Sequence, residues 1–371
     1  MLGKLLVALG VVAASTVTLL VLAARAGLLS LTCTATVLSI VVLVSLWRTL
    51  EPTEHLLLED LKKLAKITDT DNFANKEYTV EDVERYYTGT TFRDYKLLEL
   101  ATGCNAMHTN LVPSQKLPFL ANHLKQLLYV MMNMRNCSLP SNVLEVGFGK
   151  GSNSVFLRSL KPSGANFFAL DVVPAHVKYA KAYAAGLGYD DIEFHLGDAS
   201  DPPSEITANT YDLIFGVESF CHLDNDKMVE GFLSFASKQL APGGKIVIVD
   251  GFRADNFDQL STETRRAMEL SESGFRIRRM PSKALWKKLS ARKGFVSLDD
   301  IDLTLESLCF WKLGWKLGHI VLFLPSLVGR YLRKGGERAE TFANLVSVCM
   351  TAYAMALGSA NYGVLVLEKV A

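Results

Sequence analysis

The stretch Val143-Leu144-Glu145-Val146-Gly147-Phe148-Gly149-Lys150-Gly151 decides the reading of this chain. Its first four residues, apolar except for one acid, read as a buried strand. Glycines then fall at alternate positions, and residues 152–160 read as the following helix. Glycines in such a turn permit positive φ and let a ligand come close to the backbone. The helix N-terminus adds unpaired N–H groups facing the ligand. The spacing is Gly-x-Gly-x-Gly, and Ser152 stands where a dinucleotide fingerprint has its third glycine, which disfavours a pyrophosphate cofactor. Glu145, in the strand entering the turn, suits a ligand ammonium group, directly or through the loop.

Four more segments extend the pattern downstream. Asn166-Phe167-Phe168-Ala169-Leu170-Asp171 is an apolar strand ending in an acid, and Asp171 is placed to accept hydrogen bonds from two ribose hydroxyls. Ile192-Glu193-Phe194-His195-Leu196-Gly197-Asp198-Ala199 is a third strand, and Asp198 is placed to accept from an adenine amino group. Tyr211-Asp212-Leu213-Ile214-Phe215-Gly216-Val217 is a fourth, and Ala241-Pro242-Gly243-Gly244 turns into a fifth ending at Asp250. Helical segments at 175–185 and 227–239 alternate with these strands. Apolar strands alternating with helices give a doubly wound, mainly parallel α/β sheet, with ligand bound at the carboxyl ends of its strands.

In order and spacing these residues resemble the class I, seven-stranded methyltransferases that depend on S-adenosylmethionine (SAM). The likeness runs through 142–250, resumes at Gly294-Phe295-Val296-Ser297-Leu298-Asp299-Asp300-Ile301-Asp302-Leu303-Thr304 as the sixth strand, and ends at Asn361-Tyr362-Gly363-Val364-Leu365-Val366-Leu367-Glu368-Lys369 as the closing antiparallel strand. The resemblance implies a Rossmann-like seven-stranded sheet. SAM is the implied cofactor, held by Glu145, Gly147, Gly149, Gly151, Asp171, Asp198 and Ala199. Val217-Glu218-Ser219-Phe220-Cys221-His222 resembles the sterol, tocopherol and related small-lipid methyltransferases, which carry an acid and a His at this separation. Glu218 and His222 are therefore the candidate catalytic pair. Tyr86-Tyr87, Phe92, Asp94-Tyr95 and Met107-His108 look like the segment that closes over SAM in that subgroup, making Tyr86, Tyr87 and His108 candidate substrate or cap residues. The alternative roles are that Glu218 caps its loop or touches SAM, and that His222 steadies the next helix.

The rest of the chain bears on location and acceptor. Residues 5–24 and 26–47 are uncharged, separated by Arg25 and followed by Arg48. Each run reaches the roughly 20 residues that a spanning helix needs. They are read as a two-helix transmembrane hairpin over 1–50, with a cleavable signal peptide, or one span plus an embedded helix, as competing readings. Lys4, Arg48, Lys62 and Lys63 mark the cytoplasmic side. The expected location is the endoplasmic reticulum or another intracellular membrane, with the catalytic domain cytosolic. Residues 51–140 are read as a linker helix and cap over SAM, and 141–371 as the methyltransferase domain with a helical insert at about 304–360. Within that insert, Phe310-Trp311-Lys312-Leu313-Gly314-Trp315-Lys316-Leu317 has the composition of a membrane interface or of an ordinary capping subdomain. His319 reads as a packed residue. The formal charge of +1 points to no nucleic-acid partner, and six scattered cysteines without CxxC spacing point to neither zinc nor a disulfide framework. The expected partners are a small lipophilic acceptor (isoprenoid, sterol-like, quinone or lipid headgroup) and a bilayer. The alternatives are methylation of a soluble metabolite or a SAM-binding scaffold without turnover.

Overall fold

The computed structural model describes residues 50–89, 108–109, 111, 125–136, 142–160, 165–322, 325–332 and 337–370. Its centre is a seven-stranded sheet in the order β3-β2-β1-β4-β5-β7-β6. The strands are β1 (Asn142–Val146), β2 (Asn166–Asp171), β3 (Ile192–Leu196), β4 (Tyr211–Val217), β5 (Leu240–Arg253), β6 (Phe295–Asp302) and β7 (Ala360–Lys369). β1 to β5 pair in parallel. β7 runs antiparallel between β5 and β6. The order reverses beside β1, where β2 lies to one side and β4 to the other. That reversal opens a crevice at the carboxyl ends of the strands, where the glycine turn lies.

The central strands are buried on both faces, as their unbroken apolar runs require. Val143, Phe167, Ala169, Leu213, Phe215, Val247 and Val249 pack into one core. Leu144, Val146, Phe168, Ile214, Ile246 and Ile248 pack into the other. The alternation within each strand assigns neighbouring residues to opposite faces.

Helices cover the sheet and build a second layer near the site. In chain order they are α1 (Glu54–Leu64), α2 (Thr70–Ala74), α3 (Val80–Thr88), α4 (Lys125–Asn136), α5 (Ser152–Ser159), α6 (Pro174–Gly186), α7 (Ser204–Thr207), α8 (Asp226–Gln239), α9 (Thr262–Gly274), α10 (Lys283–Arg292), α11 (Thr304–Leu322), α12 (Pro325–Leu332) and α13 (Glu337–Ala356). α11 to α13 form the insert between β6 and β7. α13 packs on α9 and α11, and α1 packs on α9 and α11 in turn. Gly318 lets α11 approach α13, since a Cβ there would stand 2.0 Å from Cys349 Sγ. A buried polar knot joins the layers. Asp60 of α1 accepts from Tyr353 Oη at 2.7 Å and lies 2.6 Å from His319 Nδ1, while Lys63 donates to its other oxygen at 2.9 Å. His319 is thus a packed residue of the insert.

The fold class requires one correction. The sequence reading put transmembrane helices ahead of the sheet, but among the described residues no helix is long and apolar enough to cross a membrane. The two apolar runs at 5–24 and 26–47 lie outside the described residues. The fold is an α/β domain with a mixed seven-stranded sheet. Run length measures whether a helix would reach across a bilayer; the same apolar residues also serve helices that pack on protein. The insert illustrates the point: α11 has an interface-like composition, yet its Trp315 is fully buried against Tyr353.

Candidate active site

The glycine turn forms as its sequence requires. Gly147, Gly149 and Gly151 have φ of 71°, 53° and 78°, where side chains are disfavoured. Gly147 is also sterically fixed, because a Cβ would lie 2.3 Å from Ser219 Cβ. Gly147 N–H donates to Leu170 O at 2.7 Å, tying the β1 turn to β2. Gly149 N–H donates to Asp171 Oδ2 at 2.8 Å. Asp171 Oδ1 accepts from Val173 N–H at 2.9 Å, and His176 Nδ1 lies 3.2 Å from both carboxylate oxygens. The Asp171 carboxylate therefore fixes two loops, and Asp171 lines the cleft beside them.

That cleft has a volume of about 320 Å³. Gly147, Phe148, Gly149, Asp171, Asp198 and Ala199 line it, as do Tyr87, His108, Glu218 and His222. Asp198 Oδ1 is occupied by Ser200 N–H and Oγ at 2.7 and 2.8 Å. Two residues named for the cofactor, Glu145 and Gly151, do not themselves line the cleft. Glu145 is 1% exposed and lies beneath α5, accepting from Asn153 Nδ2 at 3.1 Å and from Ser154 Oγ. Burial pushes its carboxyl up to about 7. It reaches the cleft only through Asn153, which lines it. Gly151 is a packing position, where a Cβ would meet Ala180 Cβ at 2.8 Å.

A second cavity, of about 100 Å³, adjoins the first. Its walls are largely apolar: Met268, Phe275, Ile277, Met280, Trp311 and Met355. Thus α9, the insert and the loop after α9 all contribute. Tyr87, Glu218 and His222 line both spaces and form the partition between them. Tyr86 lines only the second.

The partition is rigidly built. Glu218 has φ of 51°, an uncommon conformation for a residue with a side chain. Its N–H donates to Val249 O at 2.8 Å. Asp250, at the end of the apolar part of β5, accepts from Ser219 and Cys221 N–H, both at 3.0 Å, so it pins the loop that carries Glu218 and His222. Burial pushes the Asp250 carboxyl up to about 7, and the neighbouring Glu218 charge adds to the rise. Glu218 Oε1 accepts from Thr109 N–H and Tyr362 Oη, each at 2.8 Å. Burial raises the Glu218 carboxyl above the usual range, with those two donors opposing it. His222 Nε2 lies 2.8 Å from Tyr87 Oη. Burial lowers the His222 imidazole, and the charges of Asp224 and Asp171 oppose that shift. His108 is buried, with Nε2 3.3 Å from Asn153 Oδ1. Phe92, Asp94, Tyr95 and Met107 lie outside the described residues.

Sequence reasoning missed Thr109, Gln126, Tyr362 and Arg276. Arg276 lines the cleft and lies over the rings of Tyr78 and Tyr86, at 5.0 and 5.3 Å. Tyr362 was in view as part of the closing strand, but nothing in a strand pattern reports what one tyrosine touches. Gln126 carries no signal at all.

A glycine turn after β1, an acid ending β2, a second acid after β3 and a closing antiparallel strand between β5 and β6 define the class I, SAM-dependent methyltransferase architecture. A family described as "Methyltransferase domain" matches residues 140–294, and the chain carries a domain of that class there. Within the class it is similar to sterol 24-C-methyltransferases. The Saccharomyces cerevisiae enzyme is 28% identical over 162 residues, which are 43% of this chain and 40% of that one. The Kluyveromyces lactis enzyme is 26% identical over 162 residues, 43% and 42% respectively. The chain thus spans about two fifths of the length of these curated relatives. Among solved structures, a geranyl diphosphate C-methyltransferase from Streptomyces coelicolor A3(2), determined with Mg2+, geranyl-S-thiolodiphosphate and S-adenosyl-L-homocysteine, shares the fold. Its TM-score is 0.57 at 16% identity, over 78% of this chain and 98% of that one.

Proposed function

We propose that this protein transfers a methyl group from SAM to a small, largely apolar acceptor held in the second cavity. The observation that carries the reading is the shared partition: Tyr87, Glu218 and His222 face both the nucleoside-type cleft and the apolar cavity. The names of the sterol and geranyl diphosphate relatives support the acceptor class.

The cleft suits SAM by its donor set. Asp171 would take the ribose hydroxyls, Asp198 the adenine amino group, and the Gly147–Gly149 backbone would pass beneath the methionine moiety. SAM supplies an electrophilic methyl on a sulfonium, and an in-line displacement needs mainly alignment and exclusion of water. The apolar cavity and the overlying aromatic residues provide both. Where methylation leaves a proton to be lost, Glu218 is the acceptor of that proton. Among the described residues both donors to its carboxylate fall on Oε1, leaving the Oε2 lone pairs available. His222, its Nε2 engaged by Tyr87, orients that tyrosine in the partition.

The test is methyl transfer from labelled SAM into two acceptor pools, a total lipid extract and an aqueous metabolite extract. Label in the solvent-extractable fraction is expected. Label confined to the aqueous pool would replace the apolar acceptor with a soluble one, and no label in either would leave a binding protein without turnover.

A further inference from the structure

One network at the partition lies beyond the reading above. Tyr362 is 2% exposed, and its hydroxyl donates to Glu218 Oε1 at 2.8 Å. Behind it sits Gln126 of α4, fully buried, with Nε2 3.4 Å from the Tyr362 hydroxyl. The same Nε2 donates to Thr109 O, while Thr109 N–H donates to Glu218 Oε1. One amide thus steadies both donors to the carboxylate, and they reach it from two separate parts of the chain. Both donors converge on one oxygen, Oε1, and so hold that end of the carboxylate in place.

We propose that Tyr362, steadied by Gln126, is the positioning residue that holds Glu218 for proton acceptance during methyl transfer; this rests on the role given to Glu218 above. The tyrosine remains a donor throughout, because burial and then the Glu218 charge push its hydroxyl far above the ordinary tyrosine range. A donor to a carboxylate favours the charged form, the form able to take a proton.

The other titratable groups around Glu218 do not duplicate this contact. Asp250 of β5 faces the backbone N–H groups of Ser219, Cys221 and Gly251. Cys221 and His222 lie on the same loop, and Tyr86 and Tyr87 approach from α3. His108, beside Thr109, faces Asn153, and Arg276 lies over Tyr78 and Tyr86. Among the described residues lining the apolar cavity there is no Lys or Arg.

The experiment is an infrared pH titration of the full chain. The protonated-carboxyl band of Glu218 is identified by its loss in Glu218→Gln. In Tyr362→Phe its midpoint is expected to move up by about one pH unit, the size of shift a lost charged hydrogen bond gives. Gln126→Met should move it in the same direction by less, and serves should Tyr362→Phe fold poorly. Labelled-methyl turnover into a total lipid extract should fall in Tyr362→Phe at neutral pH and recover at higher pH, with SAM affinity unchanged. An unmoved midpoint in both variants overturns the role of Tyr362 and leaves that of Glu218 standing. Wild-type turnover in Glu218→Gln overturns the role of Glu218 and this proposal with it.

Discussion

Replacing Asp171 with Asn separates what this carboxylate does for the protein from what it does for the cofactor. In the structure Oδ2 accepts from Gly149 N–H and Oδ1 from Val173 N–H. Asn offers one oxygen, so one of these N–H groups must face an NH2 group instead. Leaving a buried donor without an acceptor costs about 1–3 kcal/mol. The ribose hydroxyls lose charge-assisted hydrogen bonds, worth about 1.5–3 kcal/mol each. Loss of one such bond corresponds to a rise in Kd of roughly tenfold to a hundredfold. Calorimetry with SAM should show that rise, and thermal unfolding should show a modestly lowered Tm. The coupling matters, because an Ala replacement would strip the acceptor from both loops and confound affinity with folding. A folded Asn variant with unchanged SAM affinity would refute the placement of Asp171 at the ribose.

Further expectations follow from specific contacts. Gly147→Ala puts a Cβ 2.3 Å from Ser219 Cβ at a φ of 71°, so it should displace the turn and abolish measurable SAM binding; wild-type affinity by calorimetry would contradict this. The Glu145 carboxyl is raised to about 7, so the folded state holds a proton that the unfolded state releases near 4.5. Its contribution is therefore present at low pH and is lost as pH rises from about 4.5 to 7. Glu145→Gln should flatten that decline and gain up to about 3 kcal/mol relative to wild type at pH 8, by the linkage of pKa to stability. Parallel wild-type and variant Tm curves across this range would refute it. Glu272 is 1% exposed and pairs with Arg253 while accepting from Met280 N–H at 2.8 Å. Arg253→Met strands that buried acid and should cost about 3–5 kcal/mol in chemical denaturation.

The sheet was legible because each of its central strands is a continuous apolar run ending in a turn or an acid. The place of Asp171 and Asp198 in the cleft lining was legible for the same reason: a strand end fixes where a side chain points. Glu145 was expected at the ligand directly or through the loop; an acid inside a strand is aimed by the pleat, and here that aim is under α5 toward Ser154 and Asn153, of which Asn153 lines the cleft. The partition residues Glu218 and His222 were found from position after β4, but their partners were not. Tyr362 meets Glu218 across 144 positions of sequence and Gln126 meets Tyr362 across 236. Neither separation leaves any local period to read. The helical insert was visible as a segment, whereas its share in the apolar cavity, through Trp311, Thr351 and Met355, came only from the packing of α11 and α13.

The most direct measurement is single-turnover methylation of a lipid-extract acceptor at saturating SAM, run on wild type, Glu218→Gln and His222→Asn, with SAM affinity measured alongside. If the partition performs the chemistry, Glu218→Gln loses about 10²–10⁴-fold in rate while its SAM affinity stays at the wild-type value, because the lost interaction acts in the transition state. His222→Asn, which removes the His222–Tyr87 contact, loses less. Near-wild-type single-turnover rates in both variants would contradict the account, and an affinity loss in place of a rate loss would reassign Glu218 to holding the cofactor.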